Sequence, residues 1–146
     1  MEQRLDFYKA SPNAIKALVA LEVAIGKLGL EPRLLDLVRL RASQINGCAY
    51  CIDLHTADLR KAGETDRRIA TVSVWHETPF FTEREQAALA WTEAVTQIAR
   101  THAPDGAYEG LRAQFSEAEQ VDLTLAISAI NSWNRLSIGF RKTLTA

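Results

Sequence analysis

Residues 46–55 read Asn46-Gly47-Cys48-Ala49-Tyr50-Cys51-Ile52-Asp53-Leu54-His55, and they hold both cysteines of the chain and one of its three histidines. Asn-Gly is a turn signal, and no Gly or Pro interrupts the chain from there until Gly63, so the pattern predicts a helix that the cysteines open. At about 100° per residue, Cys48, Cys51 and His55 fall within roughly 60° of one another and share one helical face. Ile52, Leu59 and Ala62 lie on or beside that face, whereas Tyr50, Asp53, Ala57, Arg60 and Lys61 lie opposite. The sulfurs are therefore expected to face the core or a pocket in it.

Helical signals continue on both sides of this stretch. Pro32 opens a helix whose Leu34, Leu35, Leu37, Val38, Leu40 and Ile45 make it apolar over most of its circumference, with Asp36, Arg39 and Ser43 on a narrow polar strip. Further upstream, Ser11-Pro12 supplies an N-cap and an N1 proline, and Ile15, Leu18, Val19, Val23, Ile25 and Leu28 recur at helical spacing as far as Gly29. Downstream, Gly63 is placed to end the cysteine helix in the left-handed conformation. Thr65 caps a short helix over 66–72, and residues 75–79 read as a loop. Thr82-Glu83-Arg84-Glu85 is a capping box for a helix running to about residue 100. Ala103-Pro104-Asp105-Gly106 breaks the chain, a short helix over 108–114 follows, and Ser116-Glu117-Ala118-Glu119 is a second capping box. It opens a mostly apolar helix carrying Val121, Leu123, Leu125, Ile127 and Ile130, with helical pattern continuing over 131–144. No period-two strand interrupts this order, so the expectation is one all-α domain over 1–146.

Composition narrows the function classes. A chain of 146 residues with 47% hydrophobic residues fills one core, and a net charge of −1 with acids and bases interspersed gives no electrostatic case for nucleic acid or an anionic membrane. Met1-Glu2-Gln3-Arg4-Leu5-Asp6 lacks the basic-then-apolar pattern of a secretory leader, and Glu22 interrupts the apolar run from Ala17. No run approaches the ~18 apolar residues of a membrane span. A cytoplasmic setting is expected, where a two-cysteine cluster is catalytic or metal-binding more often than a structural disulfide.

The chemistry of the cluster points to redox work. Residues i and i+3 in a helical turn have Cα atoms about 5 Å apart, inside the range a disulfide accepts. Unpaired amides at a helix N-terminus stabilise a thiolate, and His55, one turn beyond Cys51, is within reach to move a proton. Simpler readings compete. Trp75, Trp91 and Trp133 are core or interface aromatics, His76 and His102 are solvated near loops, and His55 alone would be a satisfied core histidine. Two cysteines and a histidine on one face favour chemistry over inert burial. A zinc ion held by Cys48, Cys51, His55 and Asp36 is the metal alternative, though a Cys-x-x-Cys-x-x-x-His run on one helix is cramped for a tetrahedral site.

The stretch from Leu34 to His55 closely resembles the core of AhpD-like alkylhydroperoxidases, within the carboxymuconolactone decarboxylase superfamily. The shared signature is a carboxylate, here Asp36, twelve residues before the first cysteine of C-x-x-C-x-x-x-H. The likeness extends more loosely through Lys61-Ala62-Gly63-Glu64, Trp75, residues 83–95 and Asn131-Ser132-Trp133-Asn134-Arg135. It implies an all-helical homo-oligomer, trimeric or hexameric, that reduces hydroperoxides through a dithiol and disulfide cycle in an antioxidant role. Carried over by position, Cys51 attacks the peroxide, Cys48 resolves and faces the reductant, and His55 relays protons with Asp36, which stands where the family usually has Glu. Tyr50 occupies a site where some members carry a second histidine. The absence of a Gly-rich nucleotide motif leaves no cofactor expected, so an external thiol or dithiol must close the cycle, a lipoyl or thioredoxin-like protein being a candidate.

Overall fold

A computed structural model describes residues 1–145 of the chain. Among these residues every regular element is helical: α1 (Phe7–Ala10), α2 (Pro12–Ile25), α3 (Pro32–Asn46), α4 (Ala49–Lys61), α5 (Asp66–Thr71), a 3-10 helix (Val72–Glu77), α6 (Glu83–Thr96), α7 (Ile98–Thr101), α8 (Asp105–Gln114) and α9 (Glu117–Gly139). None is long and apolar enough to cross a membrane.

The helix that is apolar over most of its circumference, α3, is the one many others pack on. Leu34, Leu35 and Val38 of α3 join a cluster with α6, α8 and α9 that includes Trp91, Leu111, Phe115, Leu123 and Ile127. From its other side, Leu37 and Leu40 meet Leu59, Ile69, Val72, Phe81 and Leu89. A helix buried on both sides must be apolar on both sides, so the near-continuous hydrophobic pattern of α3 follows from its central place.

Both capping boxes form, with Thr82 and Glu85 closing the start of α6 and Ser116 and Glu119 that of α9. Other boundaries differ from the sequence pattern. The helix after Thr82 stops at Thr96, because Gln97 turns to φ −104° and ψ 32° and the Thr101 hydroxyl donates to the Ala94 carbonyl at 2.6 Å. Residues expected as a loop at 75–77 instead continue a 3-10 turn, tethered where the Trp75 indole donates to Glu93 at 2.9 Å. The helix expected from 108 begins at Asp105. The last helix ends at Gly139 rather than near Leu144, because Arg141 adopts φ 54° and the Lys142 amide returns to the Ser137 carbonyl at 2.8 Å. A one-turn helix, α1, precedes Ser11, capped by Asp6.

Ile127 and Ile130 of the mostly apolar last helix are buried within the chain, as are the leucines of α3. The exposed large apolar residues include Val19, Val23 and Leu28 in and just after α2, and Val121 and Leu125 on α9.

Candidate active site

The turn between α3 and α4 places the cysteines. Gly47 takes the left-handed conformation at φ 70°, its amide donates to the Gln44 carbonyl, and the Cys48 amide returns to the Ser43 carbonyl at 3.0 Å. This paired closure of a helix end needs a residue that tolerates positive φ, which is why glycine stands there. Asn46 then locks the turn to α9 by donating to the side-chain oxygens of Asn131 and Asn134, each at 2.9 Å. Asn134 in turn donates to the Ser43 hydroxyl at 3.1 Å, so buried amides tie the cysteine turn to two helices.

Cys48 is the N-cap of α4, one residue before the helix proper, and its sulfur accepts the Cys51 amide at 3.3 Å. Cys48 and Cys51 are joined as a disulfide with Cα atoms 5.3 Å apart, in agreement with their i, i+3 spacing. Both are buried, at 1% and 3% exposure. They differ in what they face. Cys51 lines a cleft of about 230 Å³ together with His55, Arg39 and Glu22, walled by Tyr8, Tyr50, Leu54, Ile130, Trp133 and Ser137, whereas Cys48 does not line it.

His55 is largely buried, and its Nδ1 lies 3.6 Å from the Asp58 carboxylate, too far for a hydrogen bond, with no other partner. Burial, then the positive charge of Arg39, push its pKa down to about 4. At neutral pH the ring is uncharged and has an acceptor nitrogen available. Burial raises the Asp36 carboxyl above its ordinary range, opposed by Arg39, which donates to it at 3.1 Å. Oxygens of Asp36 and Asp58 and a ring nitrogen of His55 all lie within 4.8 Å of one another. Asp36 thus stands beside His55, though it does not line the cleft. The four ligands of the zinc alternative are not gathered around one point: the sulfurs are joined to each other, and Asp36 and His55 group with Asp58.

Three side chains depart from their sequence reading. Tyr50, placed opposite the cysteine face, lines the cleft with Cys51, because a long ring one residue away reaches across the helix end. Trp133, read as a core or interface aromatic, is a cleft wall stacked on Tyr8 at 6.4 Å between ring centroids. Glu22, which in the sequence merely interrupts an apolar run, reaches the cleft from α2 and accepts from Arg39 at 2.9 Å. A lone acid in an apolar helix was the signal for it.

The sequence profile of the carboxymuconolactone decarboxylase family matches residues 7–94. YdfG of Bacillus subtilis is 41% identical over 138 residues, 94% of each chain. The alkyl hydroperoxide reductase AhpD of Hyphomonas neptunium is 47% identical over 45 residues, 31% of this chain and 25% of its own length. Among solved structures, ATU0492 of Agrobacterium tumefaciens, described as of unknown function with a suggested role as antioxidant defence protein AhpD, superposes with a TM-score of 0.96 at 50% identity over 99% of both chains. The debrominase Bmp8 shares the fold with a TM-score of 0.85 at 19% identity, over 94% of this chain and 74% of its own.

Proposed function

The chain belongs to the carboxymuconolactone decarboxylase family, and on that premise we propose that it is a thiol-dependent peroxidase of AhpD type that cycles Cys48 and Cys51 between dithiol and disulfide. One observation carries the reading: Cys51 opens on a cleft that it shares with His55, while Cys48 sits within disulfide reach behind it.

In the reduced protein His55 accepts the Cys51 proton as the sulfur attacks the terminal oxygen of the hydroperoxide. The O–O bond breaks, Cys51 becomes a sulfenic acid, and the departing alkoxide takes a proton to leave as an alcohol. Cys48, whose sulfur already accepts an N-cap amide and so is favoured as a thiolate, attacks the sulfenic sulfur. The disulfide forms and hydroxide leaves as water after protonation. An external thiol or dithiol, a lipoyl or thioredoxin-like protein in our reading, returns the pair to the reduced state by exchange. The requirement for a reducing supply supports a cytoplasmic setting. Asp36, beside His55 and outside the cleft, serves the relay from behind. Aromatic and aliphatic walls favour an organic hydroperoxide over hydrogen peroxide.

The test is turnover of cumene hydroperoxide with dithiothreitol as reductant. Steady consumption by the wild type and none by Cys51→Ser is expected. Reduction of a model disulfide without any peroxide consumption would replace this reading with a thiol-disulfide exchange enzyme.

A further inference from the structure

The polar corner of the cleft holds a group to which the dithiol and the His55 relay assign no part, the guanidinium of Arg39. It is largely buried, at 16% exposure, and is gripped from two helices: Nη1 donates to Asp36 on its own helix at 3.1 Å and Nη2 to Glu22 on α2 at 2.9 Å. A long side chain is thereby held in one orientation. The rest of its donor fork makes no hydrogen bond among the described residues, and Arg39 lines the same cleft as Cys51 and His55.

Peroxide reduction moves a negative charge from sulfur to the departing oxygen, and a fixed cation in a water-poor cleft is the group that lowers the cost of that movement. Arg39 is the only cation among the residues lining the cleft once His55 is neutral. Lys142, after α9, places its ammonium 4.3 Å and 4.5 Å from the ring centres of Tyr8 and Tyr50 and does not line the cleft. The field of Arg39 reaches this corner, since it opposes protonation of His55. A field that repels a proton there favours an anion beside it. Glu22 on α2, Asp36 on α3 and Asp58 on α4 act in the opposite sense, and Tyr8 of α1 and Tyr50 of α4 add phenol rings to the wall. Carboxylates outnumber the one guanidinium here, so the corner as a whole is not positive. Direct contact, not bulk field, must deliver the effect, and a planar fork suits an oxygen pair better than a point charge.

We propose that Arg39, held by Glu22 and Asp36, is a catalytic residue that hydrogen-bonds the hydroperoxide and carries the negative charge passing from the Cys51 sulfur to the departing alkoxide. This rests on the peroxidase reading above. The balance is Cys51 thiolate plus hydroperoxide to Cys51 sulfenic acid plus alkoxide, with the alkoxide protonated on release.

The experiment uses full-length Cys48→Ser protein, in which the first step stands alone, carrying Arg39, Arg39→Lys or Arg39→Gln. Two quantities are read: the Cys51 thiol pKa from the pH dependence of iodoacetamide alkylation, which involves no peroxide, and the rate of sulfenic acid formation with cumene hydroperoxide at a pH where the thiol is fully ionised. Arg39→Gln should raise the thiol pKa by about one unit and lower the rate at full ionisation roughly 10²-fold. Arg39→Lys should hold the thiol pKa near the parent value yet lose about tenfold in rate, because the fork is gone. Glu22→Gln, which loosens the guanidinium without removing it, should fall between the parent and Arg39→Gln. Thermal melting checks that each variant folds, and if Arg39→Gln does not, the Lys variant decides. Parent rates at full ionisation in the folded Arg39 variants overturn the proposal. A parent protein that alkylates normally but ignores cumene hydroperoxide overturns the peroxidase reading itself, and with it this role.

Discussion

Asp36 and Cys51 never share the cleft, and that separation divides their work. In the proposed cycle Cys51 meets the peroxide in the cleft it lines, whereas Asp36 lies beside His55 and Arg39 outside that cleft. A carboxyl whose affinity for protons is raised by burial can exchange one with a neutral imidazole more readily than an exposed aspartate can. Asp36→Asn keeps the shape and removes the base, so peroxide reduction is expected to fall roughly 10²-fold. Its melting temperature should hold or rise, because burial outweighs Arg39 in setting the proton affinity and the neutral amide escapes that cost. Asp36→Glu should retain substantial activity. A rate left intact by Asn across about pH 6 to 9 would leave the relay to His55 and water. At this scale the reach of sequence was set by separation along the chain. Cys48, Cys51 and His55 lie on one helix or at its N-cap and are grouped by spacing, whereas Asp36, on the helix before it, was singled out by the family resemblance. Glu22 comes from the preceding helix α2 and Trp133 from α9, far along the chain, and the packing brings both to the cleft.

The α3 to α4 turn depends on Asn134 for its hold on α9. Asn134 receives Asn46 and donates to Ser43, and it is fully buried. Asn134→Ala would remove the amide that the Ser43 hydroxyl accepts, though that hydroxyl still donates to the Arg39 carbonyl, and half of the Asn46 contact, costing about 0.5–1.5 kcal/mol for each hydrogen bond lost. Chemical denaturation measures this, and formation of the Cys48–Cys51 disulfide should slow in parallel because the turn that presents Cys48 is loosened. An unchanged unfolding midpoint would mean that water replaces the amide. Several helix starts were legible because caps are local: Thr65, Thr82 and Ser116 each cap the helix their type predicts, while Ser11 precedes α2 with no side-chain cap bond and α8 starts earlier than its pattern predicts. Helix ends were less so. Gln97 stops α6 and Arg141 ends α9 in conformations that their residue types do not advertise, and the Trp75 turn is set by a tether to Glu93.

At the scale of the molecule, the buried histidine predicts how stability follows pH. His55 holds its proton less tightly folded, at about 4, than unfolded, near 6.5. The unfolded chain therefore binds more protons between those values, and this contribution is present above about pH 6.5 and lost as pH falls toward 4. Its full size is roughly 3 kcal/mol. Asp36, raised rather than lowered, acts in the opposite sense and offsets part of it. Urea midpoints against pH should show the fall, and His55→Gln should flatten it; a wild-type curve level through this range would contradict the buried neutral ring. We propose that exposed apolar side chains, Val19 and Val23 of α2 and Val121 and Leu125 of α9 among them, meet other copies of the chain. Light scattering is expected to give at least a trimer, and a monomer at micromolar concentration would contradict this assembly.

The all-helical class was legible, since a central helix apolar over most of its circumference, among helices with capping signals, leaves few other arrangements. What that architecture is for turns on one sulfur. Intact-mass and peptide analysis of reduced protein treated with one equivalent of cumene hydroperoxide and dimedone reads it directly. The wild type should form the Cys48–Cys51 disulfide, Cys48→Ser should carry dimedone on Cys51, and Cys51→Ser should remain unmodified. Dimedone on Cys48 in the Cys51→Ser protein, or wild-type thiols left intact, would contradict the account.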